Sequence, residues 1–285
     1  MLLLVDLDGV VYRGAAPVEG VAAVLAARAA RGDDVVYVTN NSMWYHADYV
    51  TRLQSMGAPV DPDRIVSSAR ATALYLRDLR PPEPPVRKAL VVGGPGLMHE
   101  LADVGLDVLP SAQAAQVWRD NDRNAALAVQ GVDTLVVGLD LEFDYGRLAV
   151  AAEAARNGAR FVATNRDPIY PLEHGLMPGA GSIVAAIETA SQVAAISIGK
   201  PAPLLLRIAA QTVGREPEEA VMIGDSLITD VPAAKAVGAR SVLMLTGIST
   251  AEQAKALPPQ DRPTAIAANS AELAQVLESL AGAVS

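Results

Sequence analysis

The sequence has no cysteine, only two phenylalanines and two tryptophans, and three histidines in 285 residues. Without cysteine there is neither a disulfide nor a thiolate metal site, which fits a reducing compartment. His46, His99 and His174 stand far apart in the chain, so a histidine-rich metal centre is not expected. Positive charge is also scarce: 23 Lys and Arg face 32 Asp and Glu, a formal net charge of −9. Proteins that track nucleic-acid phosphates or anionic lipid need clustered basic side chains, so neither partner is expected. An anionic ligand would have to be held by local positive features. Long hydrophobic runs are missing as well. "MLLLVD" offers five apolar residues before an acid, too few for the apolar region of a secretory signal, and no later run reaches membrane-spanning length. The expected location is cytoplasmic.

What remains is aliphatic bulk. The chain is 51% hydrophobic but only 4% aromatic, a composition of Ala, Val, Leu and Gly that packs helices closely on sheets. Its length suits one large α/β unit or two domains. Short aliphatic runs alternate with Ala- and Leu-rich helical stretches, the pattern of a parallel sheet with helices on both faces. "LLLVD", "DVVYVTN", "AVMIGD" and "RSVLMLTG" read as central strands. "VEGVAAVLAARAARG" and "HADYVTRLQSMG" read as helices, each closing on a glycine. Four prolines in "LRPPEPPVRK" can neither continue a helix nor pair in a central strand, so they mark a domain crossing. A second Gly/Pro cluster, "GLMPGAGS", follows at Gly175 to Ser182. The expected organisation is a doubly wound Rossmann-like core in two parts, residues 1–80 and 180–285, with an inserted α/β cap domain over residues 81–179.

Four stretches that follow strand-like runs, or precede a helix, carry polar residues suited to chemistry. Asp6 and Asp8 follow the first strand; Thr39, Asn40 and Asn41 follow the second. Lys200 sits in "SIGKPAP" before a helix, and "MIGDSLITD" supplies Asp225 and Asp230. Singly, each has a plain structural explanation as a solvated turn, a helix cap or a surface lysine. "VVGGPG" lacks the spacing of a phosphate loop and reads as a turn of the cap. Ligands of open parallel sheets collect at the carboxyl ends of the strands, where distant residues converge. There, three carboxylates make a hard oxygen site suited to Mg²⁺. A Thr hydroxyl, amides at a helix start and a Lys ammonium make the matching anion site.

"DLDGV", "VTNNS", "GKP" and "GDSLITD", in that order, resemble the four motifs of the haloacid dehalogenase (HAD) superfamily. The large insert between the second and third resembles its NagD-like, p-nitrophenyl phosphatase branch, as do "VVGLD", "NGARFVATNRD", "PGAGSIVAAIE" and "GISTAEQ". The resemblance implies a Mg²⁺-dependent phosphomonoester hydrolase acting on a small phosphorylated metabolite through an aspartyl-phosphate. It makes Asp6 the nucleophile and Asp8 the general acid, then base. Thr39 and Lys200, with amides near Asn40 and Asn41, would hold the phosphoryl oxygens. Asp6, the backbone carbonyl of Asp8 and Asp225 would hold Mg²⁺, with Asp230 supporting them. Ser226 stands where relatives often have Asn or Arg, and "SMWYH" replaces an arginine-containing stretch; both bear on substrate preference. "TNRDPIYPLEHG" is read either as substrate-facing cap residues or as a connector. The cap is expected to close over the site and exclude water. The resemblance allows a cap-mediated homodimer and leaves the oligomeric state open. Two other readings use the same residues: a phosphoacceptor signalling protein, and a phosphometabolite-binding protein without turnover.

Overall fold

The structure, a computed structural model, describes residues 1–172 and 175–282. It divides into two compact units. The first comprises Met1–Thr39, Ala47–Val66 and the chain from Lys200 onward; the second comprises Asn40–His46 and Ser67–Gly199.

The first unit is built on a six-stranded sheet. Its order is Ala265–Ala267, Arg240–Met244, Ala220–Gly224, Leu2–Val5, Asp34–Thr39 and Ile65–Ser67. From Ala265–Ala267 to Asp34–Thr39 every neighbouring pair is parallel. The strand Leu2–Val5 is central because all four of its aliphatic side chains are buried, each contributing about 1.5–3 kcal/mol over an exposed position. Leu3, Val5, Tyr37, Val221 and Ile223 pack on one face with Leu25, Leu53, Leu273 and Leu277. Helices Leu204–Gln211 and Asp230–Ala236 also pack on the sheet, the former on Leu2–Val5 and Asp34–Thr39, the latter on Ala220–Gly224 and Arg240–Met244. Helices Val21–Ala30 and His46–Ser55 are followed by Gly32 and Gly57 with φ of +87° and +74°, the left-handed exit that glycine makes cheap. Strand order turns back between Leu2–Val5 and Ala220–Gly224, the doubly wound arrangement whose reversal opens a crevice at the carboxyl ends.

The second unit has its own parallel sheet, ordered Ile196–Ser197, Arg160–Ala163, Thr134–Val137, Lys88–Val92 and Asp107–Pro110. Its core joins Leu90, Val92, Leu135, Val137, Phe161 and Ala163 to helices Tyr145–Arg156 and Ala180–Ser191 through Val150, Ala154, Val184 and Ile187. "VVGG" ends the strand Lys88–Val92, and Gly94 caps helix Pro95–Asp103. Helices Ser68–Arg77 and Ala180–Ser191 both lie in this unit. Within "TNRDPIYPLEHG", Ile169–Leu172 forms a strand antiparallel to Gly175–Pro178; its Glu173 and His174 lie outside the described residues. No helix among the described residues is long and apolar enough to cross a membrane.

Candidate active site

The parallel register brings acids from opposite ends of the sequence to one edge of the first unit's sheet. Val5 pairs with Ile223 on one side and Tyr37 on the other. Continuing those registers sets Asp6 beside Gly224, and Leu7 between Asp225 and Thr39. Asp6 N–H donates to the Ile223 carbonyl at 2.8 Å, extending the strand pairing up to the acid itself. One oxygen from each of Asp6, Asp225 and Asp230 lies within 4.8 Å of the others, and all three residues are buried.

Lys200 projects its ammonium into this cluster, 2.7 Å from Asp6 Oδ1 and 2.6 Å from Asp230 Oδ1. Burial works against that charge, but Asp230 and Asp6 outweigh it and hold the lysine protonated beyond its ordinary range. Asp230 spends its other oxygen, Oδ2, on the amides of Asp225 and Ser226 at 3.1 and 3.0 Å. It therefore orients the lysine with one oxygen and the Asp225 loop with the other. Ser226 is buried, its hydroxyl accepting the amides of Ile228 and Thr229 within the loop.

Burial raises the carboxyl of Asp6 well above its usual range; Lys200 opposes the shift, while Asp230 and Asp225 add to it. Asp225 rises to about 6, first through burial and then through Asp230, against the Ile248 amide donating to its Oδ2 at 2.8 Å. Three carboxylates against one ammonium leave two negative charges in a buried space, the balance a divalent cation would restore. The oxygen-only donor set also suits a hard cation. Asp8 is not in this trio of side chains. It keeps an exposed edge, and its carboxyl is raised by desolvation, with Arg52 and Lys200 opposing. Arg52 sits 3.5 Å over the ring of Tyr12 and hydrogen-bonds the Gly14 carbonyl.

Thr39 is buried at the end of its strand. Asn40 and Asn41 belong to the second unit, where Asn40 Nδ2 donates to Asp167 Oδ1 at 3.0 Å and Asn41 Oδ1 accepts the Met43 amide at 2.8 Å. "SMWYH" also lies in that unit; His46 N–H and Nδ1 both meet Glu100 Oε1, at 2.8 and 3.0 Å.

Sequence reasoning gives Gly9 a role, letting the chain turn close to the phosphate, but missed Gly224 and Gly247, which with Gly9 make room for the acids. Gly9 has φ +82°, and a Cβ there would lie 2.3 Å from Asp225 Oδ2. At Gly247 a Cβ would lie 1.7 Å from the same oxygen, and at Gly224 one would lie 2.3 Å from Asp230 Cγ. The signal was present as "DLDG", "IGD" and "LTG", glycine beside an acid or beyond a strand end, but only contact shows that they serve one carboxylate pair. Gly247→Ala must displace Asp225, so calorimetry should show divalent-cation affinity falling by about tenfold or more in a protein that still folds. Unchanged affinity would mean that Asp225 does not bind the ion.

The haloacid dehalogenase-like hydrolase profile matches residues 3–107, and a second HAD-hydrolase-like profile matches residues 197–273. The chain is 36% identical over 266 residues to glycerol-3-phosphate phosphatase of Gallus gallus, covering 92% of this chain and 84% of that protein. Glycerol phosphate phosphatase of Mycobacterium tuberculosis in complex with magnesium superposes with a TM-score of 0.80 at 33% identity, covering 96% and 77% of the two chains. NagD of E. coli superposes with a TM-score of 0.80 at 29% identity, covering 95% and 98%. With these likenesses spanning both units, the chain belongs to the haloacid dehalogenase-like hydrolases and is a phosphatase of their NagD-like branch.

Proposed function

We propose that this phosphatase is a magnesium-dependent phosphomonoester hydrolase that works through an aspartyl-phosphate on Asp6, with small phosphorylated metabolites such as glycerol phosphate as substrates. The observation that carries the reading is the buried Lys200 ammonium shared by Asp6 and Asp230 beside Asp225. An Asp6 carboxylate oxygen attacks phosphorus, and the bond to the leaving alkoxide breaks. Asp8, whose raised carboxyl retains a proton more readily than a free aspartate, protonates that alkoxide. Asp8 then takes a proton from water as the water attacks phosphorus, releasing inorganic phosphate and restoring Asp6. Thr39 and Lys200 hold the phosphoryl oxygens, and the family resemblance adds amides near Asn40 and Asn41. Asp6, Asp225 and the Asp8 carbonyl are the residues that would hold magnesium, with Asp230 fixing Asp225 from behind. When bound, the ion supplies positive charge against the transferring phosphoryl group.

A panel of phosphomonoesters assayed with Mg²⁺ for kcat/KM tests the substrate class. Glycerol phosphate should rank among the best, and failure to turn over any member would end the proposal. The Asp225 carboxyl, raised to about 6, adds a pH dependence. Below that pH the metal-free Asp225 holds a proton that a cation must displace, so Mg²⁺ affinity should fall by up to about tenfold per unit as the pH drops, and the raised carboxyl of Asp6 acts in the same direction. Titrations at pH 5 and 7.5 check this; equal affinities would contradict it.

A further inference from the structure

The chain passes between the two units four times, after Thr39, His46, Val66 and Gly199. Two of these passages adjoin the residues assigned to the phosphoryl oxygens. Asn40 directly follows Thr39, and Gly199 directly precedes Lys200.

Inside the second unit those two chain ends are tied together. Asn165 Nδ2 donates to the Asn40 carbonyl oxygen at 2.8 Å, and Ser68 Oγ donates to the same oxygen at 2.6 Å. Asn40 Nδ2 in turn donates to Asp167 Oδ1, whose backbone amide donates to Asn165 Oδ1 at 3.1 Å. Gly199 N–H donates to the Thr164 carbonyl at 2.7 Å. A Cβ on Gly199 would lie 2.7 Å from Asn40 Oδ1 and 2.9 Å from Asn165 Cβ, so the two passages meet Asn165 at van der Waals contact.

Asn165 is 4% exposed and Ser68 fully buried. Burying an amide side chain costs free energy unless its donors and acceptor are used. Here Nδ2 is used on the Asn40 carbonyl and, at 3.3 Å, on the Thr164 hydroxyl, and Oδ1 on the Asp167 amide two residues on, bonds that fix the Asn40 backbone against the stretch from Thr164 to Asp167. We propose that Asn165 is a positioning residue for the phosphoryl site, holding Asn40 and hence Thr39, and bracing Gly199 and hence Lys200. The inference rests on the assignment of Thr39 and Lys200 made above. Neither Asn165 nor Ser68 touches the reacting atoms; each acts through the chain.

The test uses the full chain with saturating Mg²⁺ and inorganic phosphate as the probe. Asn165→Asp keeps the side chain's size and its acceptor for the Asp167 amide, but turns the donor to Asn40 into an oxygen. The inhibition constant for phosphate should rise, and kcat should fall, each by about tenfold. Mg²⁺ affinity measured without phosphate should stay within about twofold, because Asp6, Asp225 and Asp230 are held by other bonds. A purely structural role would lower the melting temperature and leave the phosphate constant of the folded enzyme unchanged, which overturns the proposal. Ser68→Ala removes the second donor to the same carbonyl and should shift the phosphate constant in the same direction; it stands in should Asn165→Asp fail to fold. Thr39→Val separates the two levels of the argument. If it leaves phosphate binding intact, the assignment of Thr39 falls and this inference with it. If it weakens phosphate binding while the Asn165 and Ser68 variants do not, only the positioning role falls.

Discussion

Asp6→Asn is expected to lower phosphatase turnover by at least about a thousandfold while the protein stays folded. In the proposed mechanism the substitution removes the charged oxygen that attacks phosphorus, and it keeps an acceptor for Lys200, which bonds Asp6 Oδ1 in the structure. The fold should not suffer. The Asp6 carboxyl is raised by burial, so its ionisation costs stability. That contribution is fully present below the ordinary carboxylate pKa and is lost as pH rises through the raised value. A neutral amide escapes the loss, so the metal-free variant should melt at or above the wild-type temperature at neutral pH. Turnover within a few-fold of wild type would remove Asp6 from the nucleophile's role. A large loss accompanied by a lowered melting temperature would assign the effect to the scaffold instead.

Removing divalent metal should have a comparable effect. In excess chelator, hydrolysis of p-nitrophenyl phosphate is expected to drop below about 1% of its value, and added Mg²⁺ to restore it. The reason lies in the charge count: Asp6, Asp225 and Asp230 share one space with the Lys200 ammonium alone among the described residues. A cation that binds this folded site and not the unfolded chain also stabilises the protein, by about 2.7 kcal/mol at a hundred times its dissociation constant. The melting temperature should therefore rise on adding Mg²⁺, and less so in Asp225→Asn. Full activity with chelator in excess would exclude the metal from the reaction.

The first unit's sheet was legible because its central strands announce themselves. "LLLV" and "AVMIG" are continuous aliphatic runs ending in an acid, and a run of that kind has few structural uses beyond a strand buried on both faces. Convergence of the acids then followed from strand parallelism, which sequence suggests through alternation with helices. What sequence could not weigh was the neighbourhood of each side chain. Asp230 looks like a helix-start acid, yet both its oxygens are committed, to Lys200 and to two amides. Gly247 looks like a turn residue, yet it lies against Asp225. The limits of the units were obscured for a related reason. Proline and glycine mark where a chain cannot continue its local structure, whereas a unit ends where packing partners change, and helices Ser68–Arg77 and Ala180–Ser191 pack beyond the punctuation that flanks them. Likewise "TNRD" carries a family signature whose asparagine is spent on the Asn40 carbonyl, a link of 125 positions that no local pattern reveals.

The pairing of Leu2–Val5 with Ala220–Gly224 also constrains how the molecule comes into being. The strand Leu2–Val5 is made more than two hundred residues before its neighbour on one side. Closing so long a loop is costly in entropy and slow, whereas most of the second unit is one continuous stretch. During synthesis the second unit can fold first, while Leu2–Val5 waits with one edge unpaired and exposed to chaperones or to other chains. A nascent chain stopped short of Ala220 would carry Asp6 and Thr39 but lack Asp225 and Asp230, so catalytic competence should arrive abruptly, only once that later segment has been made.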